Sequence, residues 1–376
     1  MHIDERDLAP TGPGTLAGRY LRRFWLPVTR LDDAAPGRAR PIEVLGEKLT
    51  YFRGTDGTPH LVASECAHRG TLLATGRVEG DGIRCFYHGW KYDGAGRCVD
   101  QPAELDGFAS KVRIAAYPVR AYLGLVFAYL GADEPPAFPR LASFEQPGYI
   151  EARSFPRNTN FYNQLENSVD QVHFNFVHQR SAFEDQGINR EIPAVTGEET
   201  DYGILKDHRY SDGRRRIGHI LMPTTLCTIV IEDGFEWTDH LSWRIPVDDG
   251  RHISFTVDLI RKEGAELERY HAVREEQRQQ LRNYERADEI VRAVLRGDLH
   301  VDDVPREHPQ LIMIQDDVAL AAQRPLDARA PDKLGRSDTQ VILLRKIWLR
   351  ELRALAAGTP LKEWVWPAEL TVSSGA

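Results

Sequence analysis

The sequence predicts an α+β protein, with a small all-β domain ahead of a larger domain in which helices wrap a central antiparallel sheet. Three observations predict it. Between Pro41 and about Gly131 the chain is a series of short strand-like runs punctuated by glycine, with no helical period. A proline-rich stretch, GADEPPAFPR at 131–140, interrupts that pattern and marks a boundary. Beyond it, runs rich in β-branched and aromatic residues alternate with strongly helical ones. The expected division is 1–40 as an N-terminal segment packing on the second domain, 41–135 as the all-β domain and 136–376 as the larger domain.

Residues 11–28, TGPGTLAGRYLRRFWLPV, read as a turn and a short amphipathic helix. PIEVLGEKLTYFRG and TPHLVASE read as strands flanking the turn dipeptide Asp56-Gly57. GIRCFY, GWKYD, GRCVD, VRIAAYPV and LGLVFAYLG continue in the same style. After the break a helical segment is expected around 160–178, then strands in LCTIVI, DHLSWRIPV and HISFTVDLI. A charged helical region runs from about Leu267 to Leu295, with Gly297 as its stop. Helices follow from Ile312 to Gln323 and over 341–357, where apolar positions recur at helical spacing.

Composition narrows the function. The 376 residues are 41% apolar and 28% charged, ordinary for a soluble globular protein. A net charge of −8 leaves no excess of Lys and Arg to neutralise phosphates, so no nucleic acid is expected as partner. No apolar run reaches the ~18 residues of a membrane span. The opening MHIDERDLAPTG lacks the basic and apolar regions of a signal peptide, and a cytoplasmic location is expected. Four cysteines in a chain of this size do not make a disulfide framework.

Two of those cysteines fall in one stretch, ECAHRGTLLATGRVEGDGIRCFYHGW, as C-x-H, sixteen residues, then C-x-x-H. Each pair sits in its own short loop and can present one thiolate and one imidazole. Zinc takes such a set tetrahedrally, although zinc fingers usually pair Cys with Cys and His with His. A two-iron, two-sulfide cluster of Rieske type needs two thiolates on one iron and two imidazoles on the other. CAHRG and CFYHGW resemble the two ligand boxes of that family. The resemblance implies that Cys66, His68, Cys85 and His88 hold a [2Fe-2S] cluster, that Gly70 and Gly89 let backbone N–H groups approach the sulfides, and that Trp90 packs behind the loop. Thr71 and Tyr87 stand where the respiratory branch has a further cysteine in each box, so no loop disulfide is expected.

About eighty residues on, NQLENSVDQVHFNFVH holds Asp170, His173 and His178. Asp170 and His173, three apart, share a helix face. His178 lies about 140° round an ideal helix from His173, so a helix must end or unwind between them for both imidazoles to meet one metal. Two His and a carboxylate on one face of an iron is the arrangement of non-haem Fe(II) oxygenases. With the opening GPGTLAGRYLRRFW and the ending LGRSDTQVILLRKIW, the chain resembles the Rieske non-haem iron ring-hydroxylating oxygenases, in the branch of phthalate dioxygenase and the vanillate-type O-demethylases. The resemblance implies a helix-grip-like catalytic domain, with Asp316 of IMIQDDVALAAQ completing the iron site and Asp317 as its adjacent rival. It also implies that Asp170 bridges His173 to His88 of the partner subunit in a cyclic homotrimer, and that an NAD(P)H-dependent reductase, with or without a ferredoxin, supplies electrons.

The function implied is a terminal oxygenase that uses O2 to hydroxylate or O-demethylate a small aromatic acid. Cis-dihydroxylation is the alternative chemistry, and a Rieske electron carrier the alternative class. Trp237, Trp243, Phe161 and Met222 are candidate cavity residues or, more simply, core. Arg209, Arg214, Arg215 and Arg216 are candidates for a substrate carboxylate or a solvated turn, and Cys98 and Cys227 read as buried free thiols.

Overall fold

A computed structural model of the chain describes residues 2–374 apart from 186, 188, 232–236, 325 and 327. The all-β region is built from two antiparallel sheets. One pairs Ala39–Val44, Glu47–Arg53, Pro59–Ala63 and Ala116–Tyr117 in that order. The other pairs Arg77–Glu79, Gly82–Arg84, Lys91–Asp93 and Cys98–Asp100. Phe52, Val62, Leu73, Ile83 and Tyr92 fill the core of this region, and Cys66 and Cys85 belong to the same cluster.

PIEVLGEKLTYFRG is a hairpin and not one strand. Val44 pairs with Glu47 across Leu45-Gly46, whose φ angles are 51° and 72°. That is the mirror-image turn that follows strand twist, usually built with Asn-Gly or Asp-Gly, so Leu-Gly gives little signal of it. The strained leucine is held from outside. Leu45 is fully buried, its N–H donates to the Pro246 carbonyl at 2.9 Å, and the Gly46 N–H donates to Val247 at 2.8 Å. The hairpin tip is thereby clasped by the larger domain.

The short N-terminal helix is Leu16–Leu21, capped by Thr15 Oγ, which accepts from the Gly18 N–H at 3.1 Å. Tyr20 packs edge-on against Trp348 of the C-terminal helix Thr339–Ala357, ring centres 5.1 Å apart. Strand Trp25–Arg30 pairs with Leu125–Tyr129, which also pairs with Val119–Tyr122. One hydrophobic cluster joins these elements to the helix Phe161–Val169 and to the sheet of the larger domain.

That antiparallel sheet runs Tyr149–Arg157, His252–Ile260, Trp237–Pro246, Thr225–Ile231, Arg215–Leu221, Gly203–Arg209 and Ala194–Glu199, with Ser373–Ser374 pairing Arg215–Leu221. Strand alternation divides its faces. Leu241, Trp243 and Ile245 enter the core on one side, as do Phe255, Val257 and Leu259 of the neighbouring strand. His240, Ser242 and Arg244 therefore project from the other side, opposite Asp258, Thr256 and Ser254 in register. Trp243, Phe161 and Met222 are core residues; the side chain of Trp237 lies outside the described residues.

Two expected helices are divided. The charged region becomes Gly264–Gln280 and Ala287–Arg296, because Leu281–Asn283 tighten into a 3₁₀ turn and Tyr284 is extended. Gly297 ends the second piece in the left-handed conformation, φ 80°, its N–H donating back into the last turn. The segment around 160–178 becomes Phe161–Val169 and His173–Phe176, with Asp170 extended between them at φ −76°, ψ 127°. Among the described residues no helix is long and apolar enough to cross a membrane.

Candidate active site

The two Cys–His loops fold alike. In the first, the Gly70 N–H donates to the Cys66 carbonyl at 2.9 Å, and the Cys66 N–H to Thr71. In the second, the Gly89 N–H donates to the Cys85 carbonyl at 3.1 Å, and the Cys85 N–H to the Trp90 carbonyl. Gly70 and Gly89 have φ of 72° and 76°, a conformation that favours glycine. Both thiols are buried, and burial, with Cys85 as neighbour, pushes the Cys66 thiol up. Tyr92 Oη lies 3.2 Å from Cys66 Sγ and accepts from the Ala67 N–H. The imidazoles lie on the outer side, His68 and His88 with ring centres 4.6 Å apart, and His68 stacks on Trp90 at 4.5 Å. His68 Nδ1 is buried without a hydrogen-bond partner.

This set is not arranged for one zinc ion. Among the described residues, His173, His178 and Asp316 form the one group with three such donors within 4.8 Å of one another. Two buried thiols on one side and two imidazoles on the other, one with an orphaned nitrogen, fit a cluster whose two irons take different ligands.

The second group gathers on the broken helix. Helix His173–Phe176 ends before His178, which lets both rings turn to one point. His178 Nε2 lies 3.3 Å and His173 Nε2 3.7 Å from the same oxygen, Asp316 Oδ1. Asp316 comes from helix Leu311–Ala322. Its neighbour Asp317 points elsewhere, accepting from Arg157 Nε at 2.7 Å. Burial raises both carboxyls, but the charges around them differ. At Asp316, His178, His173 and Arg157 overcome burial and hold the group at about 2. At Asp317 burial prevails over Arg157 and the carboxyl stands at about 6.

Neighbours fix the geometry. Gln315 Nε2 donates to the Gln179 carbonyl at 3.0 Å, so its Oε1 faces His178 Nδ1 at 3.2 Å and must accept. His178 Nδ1 therefore carries a proton, which leaves Nε2 as the nitrogen that would give up its own to take a metal. Asn167 Nδ2 donates to Asp316 Oδ1 at 3.2 Å. Asp170 Oδ2 is 3.7 Å from His173 Nδ1, and its other oxygen accepts from the Val172 N–H at 2.8 Å. Asp170 also lines a surface cleft of about 410 Å³.

The Rieske [2Fe-2S] domain family matches residues 24–118. A dehydrodivanillate O-demethylase oxygenase subunit from a Sphingobium species is 30% identical over 368 residues, 93% of this chain and 80% of that one. The chain belongs to the Rieske oxygenases. A 3-chlorobenzoate-3,4-dioxygenase oxygenase subunit from Comamonas testosteroni is 38% identical over 58% of this chain and 55% of its own. In fold, the oxygenase is similar to Pseudomonas putida CBB5 NdmA in a mutant with caffeine: TM-score 0.68, 21% identity, 94% of this chain and 97% of that one covered. This Rieske oxygenase is thus a terminal oxygenase subunit, an oxidoreductase.

Two cavities of the oxygenase meet at the triad. A small one of about 150 Å³ lies over His173, His178 and Asp316, with Phe174, Phe183 and Leu226 as apolar wall. A cleft of about 1030 Å³ opens from it between the polar sheet face and the helices Gly264–Gln280 and Leu311–Ala322. Gln164, His240, Arg244, Ile312 and Asp316 line both. Of the four candidate arginines, Arg209 and Arg215 bond Asp207 and Arg214 bonds Asp212, as a solvated turn does, while Arg216 lines the small cavity against the Phe174 ring. Lys206 lines it too, its Nζ donating to the Ser168 carbonyl, and burial, then Arg216, brings it down to about 7. His240, Arg244, Lys206 and Gln315 are absent from the site expected from sequence. Polar residues alternating with apolar ones in DHLSWRIPV were the available signal for the first two.

Proposed function

We propose that the oxygenase holds a mononuclear iron at His173, His178 and Asp316 and uses it to hydroxylate or O-demethylate an aromatic acid. The convergence of two Nε2 atoms on one carboxylate oxygen beside a cavity carries this reading. Cys66, His68, Cys85 and His88 would hold the cluster. When bound, the cluster supplies single electrons and the iron activates dioxygen. For a methoxy substrate, O2, two electrons and two protons give the phenol, formaldehyde and water. The protein groups orient and insulate. Gln315 keeps His178 in the Nδ1–H tautomer, and Asp170 Oδ2 stands 3.7 Å from His173 Nδ1, which has no hydrogen-bond partner of its own. Phe174 and Phe183 stack at 5.1 Å and give the triad cavity an apolar wall.

Asp170 lies on the surface cleft, which supports its role as a carboxylate shared between His173 and His88 of the partner subunit in a homotrimer. A reductase, with or without a ferredoxin, would feed the cluster; a solved relative of the same fold is an oxygenase in complex with ferredoxin. The activity would be cytoplasmic. A carrier without oxygenase function is disfavoured by the intact triad.

The test is composition followed by product. About three irons and two acid-labile sulfides per chain are expected, with a Rieske EPR signal on dithionite reduction. Zinc without sulfide would overturn both sites. With NADH, a reductase and O2, methoxybenzoates should release formaldehyde; a cis-diol from an unsubstituted benzoate would assign the dioxygenase chemistry instead. Gln315→Leu should weaken mononuclear iron about 10- to 100-fold and leave the cluster spectrum unchanged, read by iron titration of the purified protein.

A further inference from the structure

We propose that His240, backed by Asp258, accepts a hydrogen bond from a hydroxyl on the ring of the substrate, so that the oxygenase takes phenolic acids in preference to their fully methylated counterparts. This rests on the oxygenase reading above and names a substrate class for the same site.

Three neighbouring strands build the acceptor. Asp258, on the middle strand His252–Ile260, is fully buried and uses both carboxylate oxygens. Oδ2 accepts from Arg153 Nη2 on Tyr149–Arg157 at 2.5 Å. Oδ1 faces Nδ1 of His240, its register partner on Trp237–Pro246, at 2.6 Å. A carboxylate only accepts, so His240 Nδ1 carries a proton. Arg153 already matches the charge of Asp258, and Arg274 that of Glu151 close by at 2.8 Å, so a further cation on the ring would be in excess. In the neutral ring Nε2 is left as an acceptor. Chained hydrogen bonds polarise one another, so an imidazole that donates to a buried carboxylate accepts more strongly at its far nitrogen.

That nitrogen is placed for a ligand. His240 lines both the triad cavity and the wide cleft. Its one hydrogen bond among the described residues is the one through Nδ1. The other imidazoles of the small cavity are engaged or shut in. His173 and His178 converge on Asp316, while His208 turns Nε2 to Gln340 at 3.1 Å and has its Nδ1 enclosed by protein. Leu226, Phe174 and Phe183 give the same cavity an apolar wall for a ring. An unpaired acceptor beside such a wall selects a ring that brings its own donor. The ionised carboxylate of an aromatic acid has no proton to give, nor has a methoxy group; a ring hydroxyl does. A methoxy oxygen at this point would set two acceptors against each other with no proton between them.

The experiment is calorimetric binding to the iron- and cluster-loaded oxygenase. The probes are 4-hydroxy-3-methoxybenzoate and 3-hydroxy-4-methoxybenzoate, with 3,4-dimethoxybenzoate as the control that lacks a donor. The wild-type protein should bind at least one phenol about 10- to 100-fold more tightly than the control. His240→Leu should remove that preference and leave the control within about twofold. His240→Gln, which keeps a carbonyl acceptor and is the milder change, should fall between and covers the case in which His240→Leu does not fold. The wild-type comparison needs no variant: equal binding of phenols and control, or binding of none of the three, overturns the proposal. So does a phenol preference that survives in both variants, or an equal loss of all three acids. A phenol preference that follows His240 in a protein that never takes up mononuclear iron would sink the oxygenase site and leave this subsite standing.

Discussion

Asp316→Ala is expected to purify with its cluster and without mononuclear iron. The carboxylate supplies the charged donor of the triad, and both imidazoles lean on one of its oxygens at 3.3 and 3.7 Å. Without it two neutral rings remain, and iron affinity should fall by more than the ~10- to 100-fold typical of losing an outer partner. Oxygenase turnover should vanish with the iron. The Cys66/His68/Cys85/His88 loops belong to another core, so the Rieske EPR signal should not change. Asp317→Asn is the control one residue away. Asp317 bonds Arg157 and neither histidine, so the variant should keep its iron while losing some stability. Iron-to-sulfide ratios decide it: about 3:2 for Asp317→Asn and about 2:2 for Asp316→Ala. Iron retained in Asp316→Ala and lost in Asp317→Asn would mean that the wrong carboxylate was assigned.

Arg345→Met is expected to cost about 3–5 kcal/mol of stability. Arg345, on the C-terminal helix, is buried and reaches three carboxylates: Glu166 through Nε, Asp332 at 2.6 Å and Glu5 at 2.9 Å. Glu166 is itself buried on the helix Phe161–Val169, just before the triad segment. Removing the arginine leaves that carboxylate with Arg329 at 3.6 Å as its remaining partner. Methionine fills much of the space, so the loss reports charge more than volume. Arg345→Lys should rescue poorly, since one ammonium cannot spread over three carboxylates. The double variant Glu166→Gln, Arg345→Met should regain part of the loss, because the uncompensated charge goes with its partner. Denaturant melts read both effects, and a single-variant loss under about 1 kcal/mol would refute the role given to this network.

Much of this was legible in the sequence because it is local. Strand and helix periods separated the all-β part from the mixed part, and C-x-H with C-x-x-H pointed to two loops that bring their thiols and imidazoles together. The break that lets His173 and His178 converge was legible too, since an unbroken helix would separate them by about 140°. Other features depend on contacts distant in the chain. Leu45-Gly46 is a tight turn because Pro246 and Val247 hold it, and no local signal announces that. Asp316 and Asp317 are equivalent by composition; Arg157, 160 residues from Asp317, separates them. Arg216 looked like one of a solvated RRR run, yet strand alternation turns it toward the cavity while Arg215 faces out to Asp207.

The division of faces along Trp237–Pro246 and His252–Ile260 also bears on how such a protein changes over generations. Leu241, Trp243, Phe255 and Val257 carry the packing, while the residues between them carry the cavity. A point mutation at Ser242, Ser254 or Thr256 alters what the cleft admits without opening a hole in the core. Selection can therefore try new substrates at every second position of two central strands, with folding left nearly untouched, and the lineage stays viable while its diet drifts.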